Sequence, residues 1–227
     1  MGAGMARKTS IKAAPESKRT KITALPKLGS KTRVEALSDG IFAVAMTLLV
    51  LDIRLPDLHG AADSAQVLSA LLKIWPKFVA FIVSFFFLAR AWKAHRLIFQ
   101  YIAQVNYVFV YLTTVHLFVV CLLPFSASLI AEYPQTTVAA AIYSINLTLL
   151  PGMNYLMWRE AVARDLLEKT ASGANVGQWA LKRYPKVVAS FFVAFPLAFV
   201  RSELAIAWIV CWHVFFEARP FFKHDAH

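Results

Sequence analysis

Charged residues are scarce in this chain of 227 residues. Asp, Glu, Lys and Arg make up 16% of it, while hydrophobic residues make up 59%. A soluble globular protein has about 25% charged and about 45–50% apolar residues. This deficit of charge excludes an ordinary soluble enzyme and a disordered protein, and the long apolar runs are typical of a membrane protein with several spans.

Cysteine is also scarce. The two cysteines, Cys121 and Cys211, both fall inside apolar runs. A disulfide framework would place them in loops that face an oxidising compartment, so we expect both to be small buried hydrophobic residues.

Sequence signatures of catalysis and metal binding are missing. There is no phosphate-binding glycine loop, no Gly-x-Ser-x-Gly elbow and no His-Glu-x-x-His motif. His95, His116 and His213 lie in or at the ends of different spans, without the spacing of metal ligands. We therefore predict no enzymatic activity, no cofactor, no metal site and no small-molecule substrate, and we expect the histidines to be hydrogen-bonded in the core.

Six stretches are candidate membrane spans. About 20 helical residues cross the roughly 30 Å of hydrocarbon. The candidates are residues 34–53, 75–97, 105–130, 137–157, 187–201 and 203–219, of which the last two form a tight hairpin. We expect Asn106, Asn146 and Asn154 to form hydrogen bonds between these helices. The predicted fold is an all-α membrane protein.

Basic residues predict which side of the membrane each end faces. Only Arg54, Lys73, Lys77 and Arg201 fall on one side, and all other Lys and Arg residues fall on the other. Basic residues are enriched on the cytoplasmic side, so both termini are predicted to be cytoplasmic. Residues 1–32 then form a basic disordered tail, 33–220 the membrane domain and 221–227 a short second tail. The net charge of +11 is mainly a topology signal and an attraction to membrane lipid, not a nucleic-acid footprint.

The first span carries an unusual polar start. Arg33, Glu35, Ser38 and Asp39 lie in its first turns, where a charge at membrane depth usually faces protein or water. Capping of the helix start by Ser38 or Asp39 explains these residues equally well from spacing alone.

The rest of the span has two faces. Gly40, Ala43 and Thr47 form a small-residue stripe, which allows close approach of another helix. Ile41, Val44, Leu48 and Leu51 form a branched apolar stripe, and such stripes usually pack against lipid or protein.

Arg33 followed by Ser38-Asp39-Gly40 resembles the Arg-x-x-x-Phe-Ser-Asp-Gly signature of the transmembrane protein 175 family, in its single-repeat prokaryotic branch. Leu37 departs from the signature, which has Phe there. The resemblance covers about residues 33–220. Its supporting features downstream of the signature are Trp75-Pro76-Lys77, Trp92, His95, Leu122-Leu123-Pro124-Phe125 and Met157-Trp158-Arg159.

The resemblance implies a homotetramer of six-span subunits in a prokaryotic cell membrane, with four first spans lining a potassium pathway. On the Ser-Asp alignment, Val44 falls where the family has its narrowest side chain, with Leu48 and Leu51 further outward. Thr47 matches a threonine layer tied to potassium preference. Trp92 and His95 are candidates to hold the Ser38–Asp39 end in place.

Physical chemistry is compatible with a pore of this kind. Val44 to Leu51 spans about 10 Å of helix, and a fourfold ring of aliphatic side chains over that length can gate by dewetting. The Thr-Val-Gly-Tyr-Gly filter of ordinary potassium channels is absent. Asp52 and Asp57 would lie near the outer mouth, either concentrating cations or as plain solvated charges. A carrier for a small solute and a membrane scaffold with a basic recruiting tail are the alternative functions.

Overall fold

The computed structural model describes residues 31–57, 63–200 and Trp208, with side chains in the last helix described through residue 189. The described part is all-α. Its elements are α1 (Lys31–Leu48) with a 3₁₀ turn (Leu49–Asp52), α2 (Ser64–Lys73), α3 (Trp75–Tyr101), α4 (Tyr107–Glu132), α5 (Thr137–Ala163) and α6 (Ala171–Val200).

Local sequence explains where several helices begin. Asp63 and Gln66 form a reciprocal capping box at the start of α2, a helix that the hydropathy pattern does not predict. Pro76 stands in the first turn of α3, where its missing N–H leaves no intrahelical bond unmade. The Asn106 side chain accepts a 2.7 Å hydrogen bond from the Phe109 N–H and caps α4.

Three helical segments are long and apolar enough to cross a membrane: Lys31–Asp52, Trp75–Tyr101 and Tyr107–Glu132. They coincide with the first three predicted spans. The fourth predicted span lies within α5, which has 27 residues and is about 40 Å long. Polar side chains lower the hydropathy of α5. Several of them, including Ser144, Asn146 and Asn154, are buried within the subunit.

The connection between the fourth and fifth predicted spans is largely helical. Residues 171–186 of this connection form the first half of α6. Ala180 and Tyr184 are buried on one side of this half, while Lys182 and Lys186 are exposed on the other. The second half contains the predicted span 187–201, and the predicted span 203–219 lies outside the described residues, apart from Trp208.

Packing divides the core into two clusters. Residues of α1, α3, α4 and α5 form the larger one, centred on side chains such as Phe42, Leu88 and Leu123. The other joins the end of α3 to α4, α5 and α6 around Trp158. Next to this second cluster, the N–H of Ala103 donates to the carbonyl of Leu166, and the N–H of Glu168 donates to the carbonyl of Tyr101. These two hydrogen bonds join the loop that follows α3 to the loop that follows α5.

Two of the three asparagines that were predicted to form hydrogen bonds between helices do so. Asn106 donates to Glu160 of α5 at 2.9 Å, and Asn146 donates to Ser126 of α4 at 3.2 Å. Asn154 instead donates to the Leu150 carbonyl of its own helix.

The prediction for Cys121 is wrong, because this free cysteine is exposed on α4. Cys211 and His213 lie outside the described residues.

Candidate functional site

One face of α1 is anchored in the subunit. Ser38, Phe42, Ala45 and Leu49 are buried at intervals of three and four residues, which places them on one side of the helix. The Ser38 hydroxyl donates to the Val34 carbonyl at 2.8 Å, so its polar group is satisfied within the helix itself. This face fixes the rotation of α1 about its own axis.

The opposite face of α1 is uncovered by the described part of the chain. Val44 is 56% exposed, Leu48 45% and Leu51 60%. Exposed with them are Arg33, Leu37, Asp39, Gly40, Ala43 and Thr47. The uncovered face thus combines the small-residue stripe with most of the branched stripe. Ile41 is the exception, since it is partly buried against the larger core cluster.

Small side chains leave open space along this face. A Cβ added at Gly40 would have no neighbour within 4 Å. The small-residue stripe therefore does not serve packing within the described subunit. The Thr47 hydroxyl donates to the Val44 carbonyl at 2.8 Å, and its oxygen keeps lone pairs that can accept from water or coordinate a cation.

A hydrogen bond joins the start of α1 to α3. The indole Nε1 of Trp92 donates to Oδ1 of Asp39 at 2.7 Å. In the described part of the chain, no ion pair links Asp39 to Arg33, the nearest basic residue in sequence. A bond from a neutral donor to a carboxylate is among the stronger hydrogen bonds, because one partner is charged.

An aromatic cluster packs behind this contact. Phe42 lies 5.6 Å from His95 of α3 and 5.9 Å from His116 of α4, measured between ring centroids. The two imidazoles stack at 5.3 Å with an interplanar angle of 10°, and His95 also contacts Phe99 at 4.8 Å. His95 thus contacts Phe42, one turn along from Ser38.

Both imidazoles follow the prediction in their burial but not in their hydrogen bonding. Both are buried, yet none of their four ring nitrogens has a hydrogen-bond partner within the described residues. They are core residues of the contact between α1, α3 and α4, but they are not satisfied ones. Among the described residues, no group of three or more His, Cys, Asp or Glu could hold a metal ion.

Sequence reasoning missed Phe42, and it placed His116 in the core without linking it to this site. Phe42 lies three residues after Asp39, and its fully buried ring is the contact that α1 makes with both histidines. His116 carries no local signal of its role, because only the packing of α4 brings it to His95.

The other end of α1 is tied to α4. The Ser128 hydroxyl donates to Oδ1 of Asp52 at 2.8 Å, which positions a carboxylate just beyond Leu51. Nearby, Lys77 and Glu132 form an ion pair at 2.6 Å between the start of α3 and the end of α4. Asp57 is exposed in the connection that follows.

Comparison with known proteins identifies relatives that match most of this chain. The sequence model described as "Endosomal/lysosomal potassium channel TMEM175" matches residues 33–124. A potassium channel of Chamaesiphon minutus is 33% identical over 198 residues, which cover 86% of this chain and 97% of that protein. A potassium channel of Streptomyces collinus is 34% identical over 183 residues, covering 76% of this chain and 87% of that one.

A solved structure extends the likeness to the fold. The crystal structure of a lysosomal potassium-selective channel TMEM175 homolog from Chamaesiphon minutus superposes with a TM-score of 0.73 at 31% identity. The match covers 83% of this chain and 97% of that one. The polar signature on α1, the contacts that surround it and this similarity over nearly the full length of a relative agree: the chain belongs to the TMEM175 family.

Proposed function

We propose that this chain is a subunit of a homotetrameric potassium channel with modest selectivity over sodium, in which α1 of four copies surrounds the ion pathway. The observation that carries the proposal is the uncovered apolar face of α1, which lies opposite a face anchored in the subunit. Relatives named potassium channels, matched over most of their length, support the same function.

Four copies would cover what one subunit leaves exposed. A single helix cannot enclose a pathway, whereas helices grouped around an axis can bury the small residues between them and present larger ones to the axis. On this proposal Gly40 and Ala43 allow close approach of neighbouring copies. Val44, Leu48 and Leu51 then form successive aliphatic rings, the narrowest of which excludes water and the most tightly hydrated ions.

Thr47 lies between the proposed rings of Val44 and Leu48 and would form the selectivity layer. Its hydroxyl hydrogen is directed to the Val44 carbonyl, so its lone pairs are free to replace water around a cation. Potassium gives up water more readily than sodium, because the larger ion holds its hydration shell less tightly. Four weak oxygen ligands therefore favour potassium modestly. The permeant potassium ion is the only ligand that this function needs.

Structural residues at both ends would keep the rings aligned. The hydrogen bond from Trp92 to Asp39 and the ring contacts of His95 hold the inner end of α1. The bond from Ser128 to Asp52 holds the outer end. Four Asp52 carboxylates around the outer mouth, with Asp57 beyond them, would raise the local cation concentration.

The proposed topology has six spans and both termini in the cytoplasm of a prokaryotic cell. α6 has 30 residues and is about 45 Å long, more than the hydrocarbon thickness. Its first half carries Lys182, Arg183 and Lys186 and would extend through the cytoplasmic interface. Residues 203–219 would return the chain to the same side.

Cation flux from liposomes containing the purified protein tests this function. We expect potassium flux above sodium flux, and none of N-methylglucamine, because a constriction of four aliphatic side chains should exclude the large cation. Flux that requires a co-transported or exchanged solute would identify a carrier. Absence of flux in the full chain and in a variant lacking residues 1–30, with folding intact, would favour a scaffold.

A further inference from the structure

Helix α2 carries apolar surface that the described part of the chain does not cover. Ala70 and the following Ile74 are four residues apart and are both buried in the subunit. Leu68, Leu71 and Leu72 lie on a neighbouring side of the helix and are exposed, with Leu68 at 58% and Leu72 at 65%. These three side chains form the leucine face of α2.

A polar side completes the helix. Gln66, Ser69 and Lys73 are exposed, and their spacing of three and four residues places them on one side. At about 3.6 residues per turn, the leucine face lies between this polar side and the buried side. Adjacent exposed leucines are unfavourable in water, whereas an amphipathic helix at a membrane surface presents such a face to lipid.

The start of α3 fixes the depth at which α2 ends. α3 is long and apolar enough to cross a membrane, and its 27 residues extend about 40 Å. The hydrocarbon layer is about 30 Å thick, and the headgroup regions bring the bilayer to about 40–45 Å. The first turn of α3 therefore lies among the headgroups. Only Ile74 separates it from the last residue of α2, so the end of α2 is held at the same depth.

The residue types at this junction fit the headgroup region. Trp75 is the first residue of α3 and is exposed, and tryptophan is enriched where a membrane protein meets the headgroups. Lys73 is the only charged residue of α2. A lysine at this depth can extend its ammonium group to phosphate or water while its aliphatic stem covers apolar surface. Lipid thus matches both the leucine face and the charge beside it.

We propose that α2 lies in the headgroup region on the side of the membrane where α3 begins, with its leucine face against the phospholipid acyl chains and Lys73 towards the phosphates. The basic residues predict this to be the outer side. Because α2 stands between α1 and α3 in the chain, the lipid surface anchors the connection that leaves the outer end of α1. The proposal requires α3 to span the membrane, but it does not rest on ion conduction or on a tetramer.

Fluorescence quenching of labelled cysteines in liposomes tests the position of α2. In the full chain with Cys121→Ser and Cys211→Ser, Leu72→Cys is compared with Ser69→Cys, which lies three residues away on the polar side. Each cysteine carries a nitrobenzoxadiazole label. Its emission is quenched by iodide in water, or by phosphatidylcholine that carries a nitroxide near the headgroup.

We expect the nitroxide lipid to quench the label at position 72 about twofold more strongly than the label at position 69, because an interfacial helix buries its apolar side about 5–10 Å into the headgroup boundary. Iodide on both sides of the membrane should show the reverse order. Leu68→Cys repeats the test at a second residue of the leucine face, and melting in detergent checks the fold of each variant.

Equal quenching by iodide at positions 69 and 72 would overturn the proposal, since the leucine face would then face water. Protection of position 72 from both quenchers would also overturn it, because a second copy of this chain or another protein would then cover the face. Stronger quenching by a nitroxide near the end of the acyl chain would place α2 in the hydrocarbon and contradict the headgroup assignment. Potassium flux does not enter this measurement, so its failure leaves the proposed function untouched.

Discussion

Trp92 donates a 2.7 Å hydrogen bond from its indole Nε1 to Oδ1 of Asp39, and this bond links the polar start of α1 to the second half of α3. The two residues are 53 positions apart in the sequence. Because Ser38, beside Asp39, is buried on the anchored face, the bond acts at the boundary between the two faces of α1. It adds to the buried contacts that fix the rotation of α1 about its own axis.

The first prediction concerns this bond. Trp92→Phe and Asp39→Ala should each lower stability in detergent. The double variant should lose less than the sum, with a coupling of about 1 kcal/mol for one hydrogen bond. Thermal unfolding of the four proteins measures the coupling. Trp75→Phe is the matched control, because Trp75 lies on the same helix and is exposed; strictly additive losses would show that the bond contributes nothing.

The aromatic cluster behind α1 predicts a larger effect. Phe42→Ala should destabilise the subunit by ~3–5 kcal/mol, the usual cost of removing a fully buried aromatic side chain. Phe118→Ala on α4 should change stability little, since Phe118 is 62% exposed. Chemical or thermal unfolding in the same detergent compares them. Similar losses in both variants would mean that the contact with His95 and His116 does not anchor α1.

The aliphatic rings predict a change in selectivity. Val44→Ala and Leu48→Ala should each raise sodium flux relative to potassium, because a wider constriction lets hydrated ions through. Val138→Ala makes the same change as Val44→Ala at a residue of α5 that is 63% exposed, and it should leave the flux ratio unchanged. Liposome flux assays measure the ratio. An unchanged ratio in both α1 variants would remove these residues from the constriction.

The threonine layer makes a separate prediction. Thr47→Val keeps the branched shape but removes the hydroxyl that faces the uncovered side. Potassium selectivity should fall, while stability should hardly change, because the hydroxyl bonds only to its own helix. Thr114→Val is the control, since Thr114 is exposed on α4 and also bonds to its own helix. Potassium selectivity that survives Thr47→Val would assign it to the aliphatic rings alone.

Hydropathy predicts the helices that contain continuous apolar runs, which is why α1, α3, α4 and α5 follow from the sequence. It misses the first half of α6, because Lys182 and Lys186 alternate there with buried Ala180 and Tyr184. Such an amphipathic segment has a low mean hydropathy. The position of Cys121 is missed for a different reason: apolar residues of a membrane protein face either the core or the lipid, and hydropathy does not separate the two.

The candidate site likewise contains residues that the sequence alone indicates and contacts that only the packing of the helices creates. Ser38, Asp39 and Gly40 are contiguous and form a local pattern, so the sequence alone points to them. The burial pattern of α1 follows from its helical spacing once one buried residue is known. The stacking of His116 on His95 depends on how α3 and α4 pack, and no local pattern encodes that contact.

Cysteine accessibility tests the central claim most directly. In a background with Cys121→Ser and Cys211→Ser, the single substitutions Val44→Cys, Thr47→Cys and Leu51→Cys are treated with a cationic methanethiosulfonate reagent during potassium flux. If the uncovered face of α1 lines the pathway, modification at these positions blocks flux, whereas modification of Val138→Cys on α5 leaves flux intact. Flux that persists after complete modification at all three α1 positions would contradict the account.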